Sequence, residues 1–164
     1  MDNKKLINLL SLFSVFLVIP LMLGTFFDGY SIISKGVQTN APVEVSLFGY
    51  LEQNSVLLKL SFVFALILVL AIIVNIIYTV KLTMDKQQGG ITRLIFAIII
   101  MVSAFLMFLF TLIYCKNNTQ IDGSASLTYK VGGTTILMLV CGLVIGALNL
   151  TCYFLSLKKK KVKK

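Results

Sequence analysis

The stretch VLLKLSFVFALILVLAIIVNIIYTV, residues 56–80, decides the class of this chain. Its single charge is Lys59, close to the start, and its apolar residues cover every face of a helix. About 20 helical residues cross a hydrocarbon core roughly 30 Å thick. Backbone N–H and C=O groups in lipid must be satisfied within the segment, which a helix does and a lone strand does not. The period-two alternation of a barrel strand is missing. Residues 56–80 therefore read as a transmembrane helix.

Three more apolar runs follow the same logic, residues 6–27, 91–114 and 134–157. Of the 164 residues, 58% are hydrophobic and 13% charged, and the mean hydropathy is +0.96. Soluble domains carry about 25% charged residues. A water-soluble globule, a disordered tail and a collagenous or disulfide-rich secreted scaffold are excluded. The expected fold is an all-α membrane protein, one four-transmembrane-helix bundle spanning residues 1–164. Outer loops fall at 28–55 and 115–133, and a basic tail at 158–164. The first run follows Met1-Asp2-Asn3-Lys4-Lys5, a signal-peptide-like n-region. Its apolar run exceeds an ordinary h-region, and no Ala-x-Ala-like site follows. Leu21-Met22-Leu23-Gly24 precedes Thr25 and not the Cys of a lipobox. A retained helix is expected.

Orientation follows from the lysines and arginines. One set of flanks holds Lys4, Lys5, Lys81, Lys86, Arg93 and the six tail lysines, Lys158, Lys159, Lys160, Lys161, Lys163 and Lys164. The opposite set holds Lys35, Lys59, Lys116 and Lys130. Eleven against four places both termini in the cytoplasm of a multi-pass cell-membrane protein. Without the tail the bias is five against four, so the tail carries the assignment. The formal charge of +9 lies beside an apolar segment, so its expected partner is the anionic headgroup surface and not nucleic acid. Richness in Lys, Ile and Asn points to an AT-rich, bacterial genome.

The two outer loops hold fewer than about fifty residues, too few for a core of their own. Residues 41–48 alternate apolar with polar, as do 125–131, and alternation of this kind signals strands. Turn-forming residues flank both, with Pro42 and Gly49 around one and Asn117-Asn118 and Asp122-Gly123 before the other. A small extracytoplasmic sheet is expected, presenting Val43, Val45, Leu47, Leu127 and Tyr129, with residues 30–37 as a further strand.

A longer first outer loop, a shorter second one and strands leading into helices two and four resemble the claudin-type tetraspan plan. The resemblance covers the order of elements alone. That family's first-loop signature has a Trp, a Gly-Leu-Trp and a Cys pair, and here that loop has no Trp and no Cys. The Cys-Cys-Gly pattern of tetraspanins is also missing. Layout alone carries no function.

Ionisable groups inside spans mark proton paths and intramembrane catalysis. The six carboxylates, Asp2, Asp28, Glu44, Glu52, Asp85 and Asp122, all fall outside the four runs. Paired intramembrane aspartates and a membrane-embedded glutamate exporter site are excluded by position. Lys59 is the cation nearest a span interior, and its stem can snorkel to the outer interface. The chain has no His, hence no imidazole base or ligand. Its three cysteines, Cys115, Cys141 and Cys152, form no Cys-x-x-Cys pair. No catalytic, cofactor or metal site is expected.

Helix packing is expected at Gly142 and Gly146, a small-xxx-small pair, and at Asn75 and Asn149, whose amides seek partners across helices. Pro20, one turn before Gly24, is expected to kink or end the regular part of the first helix. Two functions remain in view. One is a non-catalytic accessory protein that binds another membrane protein through its outer loops or helix faces. The other is a small homo-oligomeric channel, pore or transporter subunit, which calls for a repeated polar helix face that the runs do not display.

Overall fold

A computed structural model describes residues 3–19, 28–35, 43–84, 90–122 and 125–162. In chain order these form α1 (Asn3–Phe16), β1 (Asp28–Lys35), β2 (Val43–Ser46), α2 (Val56–Met84), α3 (Ile91–Asn118), β3 (Gln120–Asp122), β4 (Ala125–Val131) and α4 (Gly133–Val162). A 3-10 turn at Phe48–Leu51 links β2 to α2.

Three helices are long and apolar enough to cross a membrane, over Val56–Leu82, Ile91–Asn118 and Gly133–Leu157. They coincide with the second, third and fourth apolar runs. Of the first run, α1 supplies a shorter apolar helix. Residues 20–27, with Pro20 and Gly24, lie outside the described residues.

The long helices bury polar side chains together with an apolar core and leave many further apolar residues facing outward. Ser61, Asn75, Ser103, Thr111 and Asn149 are buried, while Leu70, Ile77, Ile98, Phe105 and Val140 stay more than half exposed. An apolar belt of this size would be an aggregation surface in water and suits hydrocarbon. The arrangement is compatible with a multi-pass membrane protein. Between the helices, α3 packs against α2 on one side and α4 on the other, and α1 lies chiefly on α4.

The segments before α2 and before α4 contribute to one four-stranded sheet of order β2-β1-β4-β3, with every neighbouring pair antiparallel. Residues 125–131 form β4 as their alternation requires. The alternation over 41–48 yields a strand only at Val43–Ser46. Leu47 has helical backbone angles and opens the 3-10 turn, so it leaves the strand that its sequence pattern suggests. Of the proposed third strand, residues 30–35 belong to β1, and residues 36–37 lie outside the described residues. Asn117 and Asn118, which read as a turn in sequence, instead end α3, and the three-residue β3 that starts at Gln120 is made a strand by its pairing with β4. The sheet caps one end of the bundle. Lys5, Lys81 and the backbone of residues 158–161 mark the opposite, lysine end.

Candidate functional site

The sheet is anchored to the helices through tyrosines. Tyr30, from β1, is 1% exposed and stands at ring-centroid distances of 5.6 Å from Tyr50, 5.4 Å from Tyr114 and 6.1 Å from Tyr129. Tyr114 and Tyr129 meet edge to face at 5.9 Å. Such geometry adds a specific aromatic attraction to the area buried. One ring comes from each of β1, the 3-10 turn, α3 and β4, so four elements are locked at a single point.

Hydrogen bonds complete the anchor. The Thr135 hydroxyl donates to the Gly29 carbonyl at 2.8 Å, which leaves its oxygen to accept from the Tyr50 hydroxyl at 3.4 Å. The Gly132 N–H donates to the Gly29 carbonyl at 2.9 Å, and the Gly133 N–H to the Asp28 carboxylate at 3.2 Å. Gly132 lies so close to the backbone carbonyl of Asp28 that a Cβ there would collide with it. Burial raises the Tyr30 hydroxyl well above the ordinary phenol range, helped by its contact with Tyr114. Burial likewise pushes Tyr50 up to about 12, against the lowering effect of hydrogen bonds with Thr111 and Thr135.

The sheet's outer edge is β2, which pairs with β1 alone among the described strands. Val43 on this edge is 58% exposed, and Phe48, Leu51 and Val56 continue an exposed apolar series from β2 into α2. Val45 is half-buried against the core and Leu47 is buried, so neither is offered to a partner. Leu127 is exposed, and Tyr129 belongs to the tyrosine anchor. Of the residues expected to display the sheet, Val43 and Leu127 face outward.

The two helix-four glycines face α3 within the same chain. A Cβ on Gly142 would lie 2.6 Å from the Ala104 Cβ, and one on Gly146 would collide with the Met101 side chain. The small-residue face is thus occupied by small and flexible residues of α3. Asn149 donates to the Ile145 carbonyl of its own helix at 3.1 Å, so this bond does not cross helices. Asn75 is 1% exposed, and its Oδ1 has no hydrogen-bond partner among the described residues. Ser61 and Thr111 do bridge α2 and α3, with hydroxyls 2.8 Å apart, and Ser61 also donates to the Met107 carbonyl at 2.9 Å.

Arg93, which the sequence presents only as a flanking charge, is a buried cation. Lys59 is exposed, whereas Arg93 is 2% exposed inside the bundle. Its Nη1 donates to the Ser11 hydroxyl of α1 at 3.0 Å. The Cys152 thiol of α4 lies 4.0 Å from the same hydroxyl and 3.9 Å from the Ile7 carbonyl. Arg93 follows the inner loop by only a few residues, so in sequence it looks like a flank. In the folded chain Ser11 of α1 reaches it, and the Cys152 thiol of α4 lies beside that hydroxyl.

The cysteines are buried and free. Among the described residues no three His, Cys, Asp or Glu side chains gather as a metal site would require. Side chains of residues 158–162, and all of Lys163 and Lys164, lie outside the described residues. No protein-family model matches the chain, and no curated protein matches it.

Proposed function

We propose that the chain is a four-span accessory protein of the cell membrane that binds another membrane protein through its extracytoplasmic sheet. The observation that supports this reading is the β2 edge, with Val43 exposed on a strand paired on one side among the described strands. An unpaired edge is a template for a further strand, and proteins ordinarily blunt it with charge, proline or a covering segment. Here the rigid tyrosine anchor holds that edge in place. Both termini and the lysine tail lie at the cytoplasmic face, where the tail contacts anionic headgroups.

The test is mild extraction from the native membrane followed by native mass spectrometry. A stoichiometric second protein is expected, and the double variant V43K/F48S should lose it. Val43 is exposed, and the half-exposed Phe48 ring packs on Phe62 at 5.8 Å and not on the tyrosines, so the tyrosine anchor should stay as in the parent. Scrambling 43–48 outright would be uninformative, because Val45 and Leu47 are part of the core. A partner-free homo-oligomer would sink this reading and favour the pore, and planar-bilayer conductance would then be measured.

A further inference from the structure

We propose that the groove between α1 and α2 holds an acyl chain of an anionic phospholipid, whose phosphate sits at Lys5 and Asn8. This inference is independent of the protein-binding reading. The groove has a volume of about 490 Å³ and lies at the lysine end of the bundle. Its walls change character with depth. Lys5 and Asn8 stand at the mouth, while Leu9, Leu12, Val15 and Val80 line the remainder, beside the hydroxyl-bearing Ser11 and Thr79.

Two observations select a lipid. Lys5 and Val15 are ten residues apart, about 15 Å along a helix axis. One leaflet of a hydrocarbon core roughly 30 Å thick has the same depth. A groove with a cationic polar mouth and a mainly apolar wall of this length along α1 matches a headgroup and its chain.

The sign of the headgroup follows from the charges. Lys5 lines the mouth, and no described carboxylate lines the groove. Behind the wall, the buried Arg93 guanidinium donates to Ser11, itself a lining residue. Cationic groups on and behind a low-dielectric wall attract a phosphate more strongly than they would in water. The described carboxylates Asp28, Glu44 and Glu52 belong to the sheet and its turns at the other end. A phosphatidylglycerol-type headgroup fits this distribution better than a zwitterionic one, whose ammonium would meet Lys5.

The experiment uses the full-length chain, stripped of lipid in detergent. Phosphatidylglycerol or phosphatidylcholine of identical acyl chains is then added back and read by native mass spectrometry. The parent should retain one phosphatidylglycerol per chain in preference to phosphatidylcholine, and millimolar inorganic phosphate should not displace it. Lys5→Gln should weaken retention about fivefold, in line with one lysine at a headgroup surface. Lys163→Gln removes the same charge from the tail and should leave the preference intact, which separates a built groove from diffuse attraction. Leu12→Trp, at an exposed groove position, should exclude the chain and reduce binding of both lipids. Equal retention of the two headgroups, displacement by free phosphate, or K5Q and K163Q behaving alike would each overturn the proposal.

Discussion

At the sheet end, four tyrosines, two close glycine backbones and a threonine hydroxyl join strands to helices. At the lysine end, α1 meets the rest of the bundle through the Arg93–Ser11 bond and the Cys152 thiol, and it leaves a groove open beside α2. Leu9, Leu12, Phe13 and Phe16 of α1 are all more than half exposed. One end is fixed by interlocking shape, where each group excludes alternatives to its neighbour. The other is held by the buried Ile7 side chain and a few polar contacts in a low-dielectric interior, where a single bond counts for more. The difference teaches which end tolerates change: shape fails abruptly, whereas sparse polar ties loosen without unfolding the remainder.

The largest effect is expected where shape is tightest. Gly132→Val would drive a branched side chain into the Asp28 backbone carbonyl, and backbone cannot yield as a side chain does. A loss of about 3 kcal/mol or more is expected. Denaturant titration in micelles would measure it, and the sheet should detach together with the tyrosine packing. A loss below about 1 kcal/mol would show that the two ends are not different in kind.

A second effect at the same end depends on pH. Tyrosine is charged when deprotonated, and burial disfavours that form, so the folded chain holds the Tyr50 proton to about 12 against an ordinary 10. The stabilisation from this group is complete below pH 10 and is lost as pH rises through 12. Two pKa units correspond to about 2 to 3 kcal/mol. Stability of the parent should therefore fall across this window, and that of Tyr50→Phe should fall less. Parallel curves for the two proteins would remove Tyr50 from the anchor.

Much of this contrast was legible in the sequence, and the reason is physical. Apolar runs 56–80, 91–114 and 134–157 overlap the three long helices because solvent class and length fix a helix in lipid before tertiary contacts are made. The 125–131 strand was legible because its alternation is complete. Leu47 was misassigned because alternation continues past the point where the backbone turns. The short β3 has no pattern of its own and exists through pairing. Arg93 and Tyr30 are invisible as site residues for a related cause. An arginine beside a loop and a tyrosine in a strand are ordinary until another element closes over them.

The lysine end supplies a smaller effect. Ser11→Ala removes the oxygen that accepts from Arg93 and leaves one donor of a buried guanidinium without that partner. The cost of such a deletion is about 1 to 3 kcal/mol. Because α1 lies chiefly on α4, the loss should appear as faster hydrogen exchange in α1 while the sheet keeps its protection. Equal deprotection at both ends would mean that α1 unfolds with the whole bundle and not before it.

The smallest effect has the opposite sign. Asn75 is enclosed in α2, and its Oδ1 has no partner among the described residues, so an amide oxygen has left water without a compensating bond there. Replacing a buried unsatisfied polar group by an apolar one of similar shape is neutral or favourable. Asn75→Leu should therefore leave the unfolding midpoint unchanged or raise stability by up to about 1 kcal/mol, while Asn149→Leu should not, since the Asn149 amide donates to Ile145. A marked loss from Asn75→Leu would mean that its oxygen is satisfied in the membrane by something outside the described residues. An isotope-edited infrared shift of the Asn75 side-chain carbonyl would then report that bond directly. In that outcome α2 would carry a polar tie of its own away from the sheet, and the contrast between the two ends of the molecule would narrow.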